Sequence, residues 1–139
     1  MSGEKSLDDL LRNMSPELVA GEFVFCSFES SRYGDHANLQ PVACFVENEG
    51  LTLVLPRSKA DEHALGYESV FCCITLKVHS DLEAIGLTAA FATKLTQHGI
   101  SANVIAGYFH DHIFVQQQEA KKALAAIEEL SRPPERKPG

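Results

Sequence analysis

No apolar run in this 139-residue chain approaches the roughly 18 residues that a membrane-crossing helix needs. No membrane span is therefore expected. The opening Met1-Ser2-Gly3-Glu4-Lys5 lacks the basic-then-apolar order of a secretory leader, so a cytoplasmic location is expected. Basic charge is scarce: 12 Lys and Arg against 19 Asp and Glu leave a formal net charge of −7. Nucleic-acid binders present a basic face to the phosphates. The only basic cluster here is the tail from Arg132 to Lys137, interrupted by Pro133, Pro134 and Glu135. Residues 132–139 read as a disordered tail, and no nucleic-acid partner is expected.

A Cys-x-x-Cys pair is also missing. The four cysteines, Cys26, Cys44, Cys72 and Cys73, read as buried thiols in a reducing cytosol rather than disulfides. Cys72 and Cys73 are neighbours on a strand and point to opposite faces, so one metal does not easily take both. No Gly-x-Ser-x-Gly, His-Glu-x-x-His, phosphate loop or dinucleotide fingerprint occurs. Arg32-Tyr33-Gly34-Asp35-His36 sits in a polar loop, but sets no nucleophile, base and orienting acid at recognisable spacing. No catalytic residue, metal or cofactor is assigned, and the chain reads as a non-enzyme.

What is present is a succession of short elements. Ser6-Leu7-Asp8-Asp9 opens a helix, with Ser6 as its cap and the early acids suiting the dipole. Ser15-Pro16 predicts a further helical turn, because proline suits the first helical position. Phe23–Phe28 is a strand by its β-branched and aromatic content, and 30–40 a loop. Val42–Val46 and Leu51–Leu55 flank Asn48 and Gly50, the strongest hairpin signal. A short helix over 58–65 closes at Gly66.

In the second half, 70–78 predicts a strand. Ser80-Asp81-Leu82-Glu83 fits a capping box, followed by a helix carrying Ala84, Leu87, Phe91 and Leu95 at spacings of three and four and ending at Gly99. Strands over 101–106 and 112–116 flank a turn at 107–111, and a last helix covers about 118–130. The order β-α-β-β-α is a ferredoxin-like unit without its last strand. That strand comes either from the first half or from a second copy. The nearly continuous apolar character of Phe23–Phe28 and Val70–Leu76 predicts burial on both faces.

The strand Phe71-Cys72-Cys73-Ile74-Thr75-Leu76, the segment Glu83-Ala84-Ile85-Gly86-Leu87-Thr88-Ala89, the helix end His98-Gly99-Ile100-Ser101 and Asp111-His112-Ile113-Phe114-Val115 follow the order of ACT domains. They resemble the ACT units of aspartate kinases and of the arginine sensors called CASTOR. The whole chain also resembles small bacterial tandem ACT-like proteins of unassigned function. The resemblance implies an α+β fold: two ferredoxin-like (ACT-like) α/β sandwich units, antiparallel sheets with helices on one face. Residues 1–66 would be a degenerate N-terminal unit and 67–131 the C-terminal ACT domain. It also implies a regulatory protein that binds a small molecule, usually an amino acid, works as a homodimer, and acts on a regulated protein partner that the sequence does not name.

Carried over residue by residue, the resemblance places the ligand against the loop and helix start at His79, Ser80, Asp81, Ala84, Ile85 and Gly86. Asn103, Val104 and Ile105 on the next strand, and Asp111, complete the set. Ala89-Ala90 stands where aspartate kinases continue to a further glycine. The chemistry is consistent with an α-amino acid. Backbone N–H groups at a helix start can take its carboxylate, Gly86 permits close approach, and Asp111 can take its ammonium. Structural roles stand beside these: Ser80 and Glu83 capping each other, Gly86 giving packing room, and Asp111 shaping a turn. His110 and His112 read as turn histidines, since zinc wants four ligands and further donors are remote. The alternative to a ligand sensor is a ligand-free interaction scaffold with the same fold.

Overall fold

The computed structural model describes residues 7–77 and 86–132. Its elements are α1 (Leu7–Arg12), β1 (Pro16–Leu18), β2 (Phe23–Phe28), β3 (Ala43–Glu47), β4 (Gly50–Pro56), α2 (Arg57–Glu62), β5 (Phe71–Leu76), α3 (Leu87–Gln97), β6 (Asn103–Ala106), β7 (Asp111–Gln116) and α4 (Ala120–Leu130), with 3-10 turns at Ala37–Leu39 and Gln117–Glu119.

Pro16 begins a strand rather than the helical turn that Ser15-Pro16 predicts. β1 pairs antiparallel with β5, in the register Pro16↔Leu76, Glu17↔Thr75 and Leu18↔Ile74. Proline is tolerated as the first residue of a strand, where its missing N–H costs least. This is the strand that the β-α-β-β-α half lacks, and it comes from the chain's own N-terminal segment. The compact units accordingly do not follow chain order: Met1–Val19 and Cys73–Gly139 form one, and Ala20–Cys72 the other.

In the first unit β1, β5, β7 and β6 are neighbours in that order. Its core contains Ile74, Leu76, Phe91, Leu95, Ile113, Val115 and Ile127, all without exposed surface. The 3.6-residue spacing of Leu87, Phe91 and Leu95 turns all three inward from α3. α3 and α4 are tied by Lys94 Nζ to Glu129 Oε2 at 2.7 Å. β5 is buried along Cys73–Leu76 irrespective of side, as its apolar run predicts.

Gly99 ends α3. Its φ is +72°, its N–H donates to the Thr96 carbonyl, and the Ile100 N–H donates to the Leu95 carbonyl, each at 2.9 Å. This is the two-bond left-handed ending that glycine favours. Nothing lies within 4 Å of a Cβ built there, so the whole cost of a side chain is in the backbone. Gly99→Ala is expected to lower stability by about 1–2 kcal/mol, measured by urea unfolding; no loss would mean that the left-handed turn is not held in solution.

The second unit is built on the antiparallel order β3–β4–β2. The predicted hairpin is present. Glu47 faces Gly50, leaving Asn48 and Glu49 as a two-residue loop. Val24, Cys26, Leu51, Leu53, Leu55, Leu39 and Ala60 form its core. Between β2 and β3 the expected loop holds only a 3-10 turn, pinned by buried Leu39 and by His36, which stacks on Phe28 at 4.1 Å and bonds Ser31 Oγ at 3.0 Å.

α2 closes earlier than Gly66. Ala64 takes the left-handed position (φ +54°), and the Leu65 N–H donates to the Ala60 carbonyl at 2.9 Å. Cys44 is exposed, not buried: β3 is an edge strand whose Phe45 and Val46 are also open, as is Val42 just before it. The capping box at Ser80–Glu83 and the tail from Pro133 lie outside the described residues.

Candidate functional site

The site expected from the sequence divides in two. Ser80, Asp81, Ala84 and Ile85 lie outside the described residues, as does His79. Gly86, Asn103, Val104, Ile105 and Asp111 are described, and all five belong to the unit that contains α3 and α4.

Gly86 is the residue before α3, in the left-handed region at φ +93°. A Cβ there would stand 3.4 Å from Leu7 Cδ2, an ordinary van der Waals contact, so the backbone conformation rather than space favours glycine. Asn103, Val104 and Ile105 run along β6 and face Phe114, Ile113 and His112 of β7. The Asn103 amide is partly engaged, since Nδ2 donates to the Phe114 carbonyl at 3.3 Å. Ala106 faces Asp111, the first residue of β7.

Asp111 is the centre of the electrostatics. Burial holds its carboxyl above the ordinary value, with His112 and His110 pulling the other way. His112 is held below its ordinary value, again chiefly by burial, then by His110, with Asp111 opposing. Its Nδ1 lies 2.9 Å from Thr75 Oγ1, and Cys73 Sγ approaches the same hydroxyl at 3.9 Å. His110 Nδ1 is buried and has no hydrogen-bond partner among the described residues. Asp111 thus stands half-buried between His110 and His112 in the chain. A carboxylate so placed is suited to a cationic partner from outside the protein.

Thr75 was missed by reading the sequence, although it left a signal: it is the one hydroxyl in the apolar run Phe71–Leu76, and a buried hydroxyl needs a partner. No group of three or more His, Cys, Asp and Glu suited to a metal occurs among the described residues. No helix among them is long and apolar enough to cross a membrane.

A second feature was not foreseen. A cleft of about 790 Å³ in the other unit is lined by residues that include Gly21, Glu22, Phe23, Pro56, Arg57 and Asp61. Arg57 donates through Nε to the Tyr67 hydroxyl (3.1 Å) and through Nη1 to Glu22 Oε1 (2.9 Å), and Tyr67 donates on to Asp61 Oδ1 (2.6 Å). These bonds, Tyr67 first and Glu22 next, hold the guanidinium above its ordinary value. The network satisfies its own charges and ties the start of α2 to Glu22, the residue before β2.

A family model described as ACT domain matches residues 2–73, and a second with the same description matches residues 68–129. No curated protein matches the sequence. Among solved structures, a Vibrio cholerae protein of unknown function, described as a possible transport protein, is 56% identical; the match covers 91% of this chain and 96% of that one, with a TM-score of 0.83. An Agrobacterium tumefaciens protein shares the fold at 13% identity, over 85% of this chain and 89% of that one, with a TM-score of 0.63. So does the ligand-free regulatory subunit of aspartate kinase from Thermus thermophilus, at 9% identity, over 83% and 95%, with a TM-score of 0.61.

Proposed function

This chain belongs to the ACT-domain family, and we propose from that premise that it is a non-catalytic regulatory protein of the cytoplasm. It binds a small ligand with the charges of an α-amino acid, works as a homodimer, and changes the state of a partner protein. The observation that carries this reading is Asp111, a half-buried carboxylate that burial holds above its ordinary value, beside His112, which burial holds below its own. A ligand ammonium is the missing cation. The ligand carboxylate goes to the backbone N–H groups of the segment Ser80, Asp81, Ala84 and Ile85 leading into Gly86, and Asn103, Val104 and Ile105 form a wall. The apolar character of Ile85, Val104 and Ile105 favours an uncharged ligand side chain.

A second reading has its own support. Gly86 packs against Leu7 and the Asn103 amide bonds to its own sheet, which is what a ligand-free interaction scaffold requires.

Thermal unfolding with each of the twenty amino acids at millimolar concentration separates the two. A ligand at 100 times its dissociation constant stabilises the native state by about 2.7 kcal/mol, a rise of a few degrees in Tm. One selective rise, abolished in Asp111→Ala, is the expected result. A flat response to all twenty would favour the scaffold.

A further inference from the structure

Phe23 faces Pro56 at the end of the β2–β4 ladder, so Glu22 and Arg57, the next residue out on each chain, come side by side. The Arg57 N–H donates to the Glu22 carbonyl at 2.9 Å, which fixes the two backbones. The guanidinium is then held at two atoms, Nη1 on Glu22 Oε1 and Nε on the Tyr67 hydroxyl. A planar group bonded at two points has little freedom left to turn. It stands in the cleft of about 790 Å³, whose lining residues all belong to the unit Ala20–Cys72.

The network pairs its charges without using all of its hydrogen-bonding atoms. Arg57 Nη2 has no acceptor among the described residues, and Glu22 Oε2 has no donor. Ser58 lines the same cleft, is exposed, and makes no side-chain hydrogen bond among the described residues. The cleft thus presents open donors and an open acceptor on side chains that meet at 2.9 Å. A bare anion on Arg57 would face the carboxylates of Glu22 and of Asp61, whose Oδ2 lies 3.7 Å from Arg57 Nε. A bare cation on Glu22 would face the guanidinium. Like charges so close oppose both. A ligand with carboxylate and ammonium on neighbouring atoms meets each group with its opposite, through charge-assisted bonds.

We propose that this cleft is a second binding site, for a small zwitterion. The ligand carboxylate goes to Arg57 Nη2 and the Ser58 hydroxyl, its ammonium to Glu22 Oε2, and its apolar part to the wall of Ala20 and Pro56. The volume suits such a ligand, since small-molecule sites run from roughly 300 to 1,000 Å³. The receptor is built before the ligand arrives: strand ends carry it, and Glu22 and Tyr67 hold the guanidinium in place, so little ordering remains to oppose binding. The Glu22 and Arg57 side chains are 30% and 39% exposed, open enough to be reached and covered. The site is independent of the ligand reading at Asp111, which belongs to the other unit.

The N–H resonances of the full chain, followed by nuclear magnetic resonance during titration, test the assignment. The probes are norvaline, a zwitterion, and pentylamine and pentanoate, which have as many carbons and one of its two charges each. Norvaline at millimolar concentration is expected to move the Gly21 amide and Arg57 Nε–H signals and to saturate. Pentylamine and pentanoate are expected to bind at least about tenfold more weakly. Arg57→Gln removes the guanidinium and is expected to weaken norvaline by at least about tenfold. Ser58→Glu keeps the network and sets a carboxylate beside the open edge of Arg57; it is expected to weaken norvaline in the same way, and it decides the matter if Arg57→Gln does not fold. Asp111→Ala is expected to leave the response of these two signals intact. No saturable shift with norvaline, binding of pentylamine or pentanoate as tight as that of norvaline, or a response indifferent to Ser58→Glu would overturn the proposal. A response lost in Asp111→Ala but kept in Ser58→Glu would place the binding in the other unit and overturn this site alone.

Discussion

Phe91→Ala is expected to lower the free energy of unfolding by about 3–5 kcal/mol, the largest effect of any single substitution considered. Phe91 is the largest fully buried side chain among the described residues. It sits mid-way along α3, with Leu87 and Leu95 one turn to either side on the same buried stripe. Truncation removes the transfer free energy of a ring and leaves a cavity that close-packed neighbours fill only in part. The loss is a large fraction of the 5–15 kcal/mol that a domain of ordinary stability has. Urea unfolding followed by far-ultraviolet circular dichroism measures it, since α3 and α4 belong to one unit. A loss below about 1 kcal/mol would mean that the α3 stripe does not face the core.

Gly50→Ala is expected to cost about 2–3 kcal/mol, for a different reason. Gly50 opens β4 at φ +154°. A Cβ built there would lie 2.8 Å from the Phe28 carbonyl oxygen, 3.1 Å from its carbon and 3.2 Å from Glu29 Cα. All three are backbone atoms, so no rotamer change relieves the contact, and the end of β2 must move away from β4. Gly66→Ala is the control. Gly66 has no positive φ and nothing within 4 Å of its Cβ position, and its change is expected to stay within about 0.5 kcal/mol. Equal effects at the two positions would show that the β2–β4 contact is not the cause.

Gly50 was legible in the sequence as a turn residue beside Asn48, because hairpin chemistry is local. Its role in admitting Phe28 was not, because Phe28 is distant in sequence and arrives only through the β2–β4 pairing. The same boundary runs through the site. Asp111 and the β6 residues were named from the order of motifs. The Thr75–His112 contact joins residues 37 positions apart, and the burial that shifts both His112 and Asp111 is a property of the packed unit. Cys44 was read as buried because cysteine usually is, whereas its strand lies at an edge.

The sequence by itself determined the helices and strands whose periodicity and end signals are local: the Leu87–Phe91–Leu95 stripe, the Gly99 ending, and the hairpin about Asn48 and Gly50. It also carried the ACT resemblance that the family models bear out. Only the tertiary structure decided that Pro16–Leu18 is a strand, and that it completes the unit of the second half. Three residues beginning with a proline have too little local preference to set their own conformation. The open ladder positions of β5 set it, and those exist only once the second half has folded.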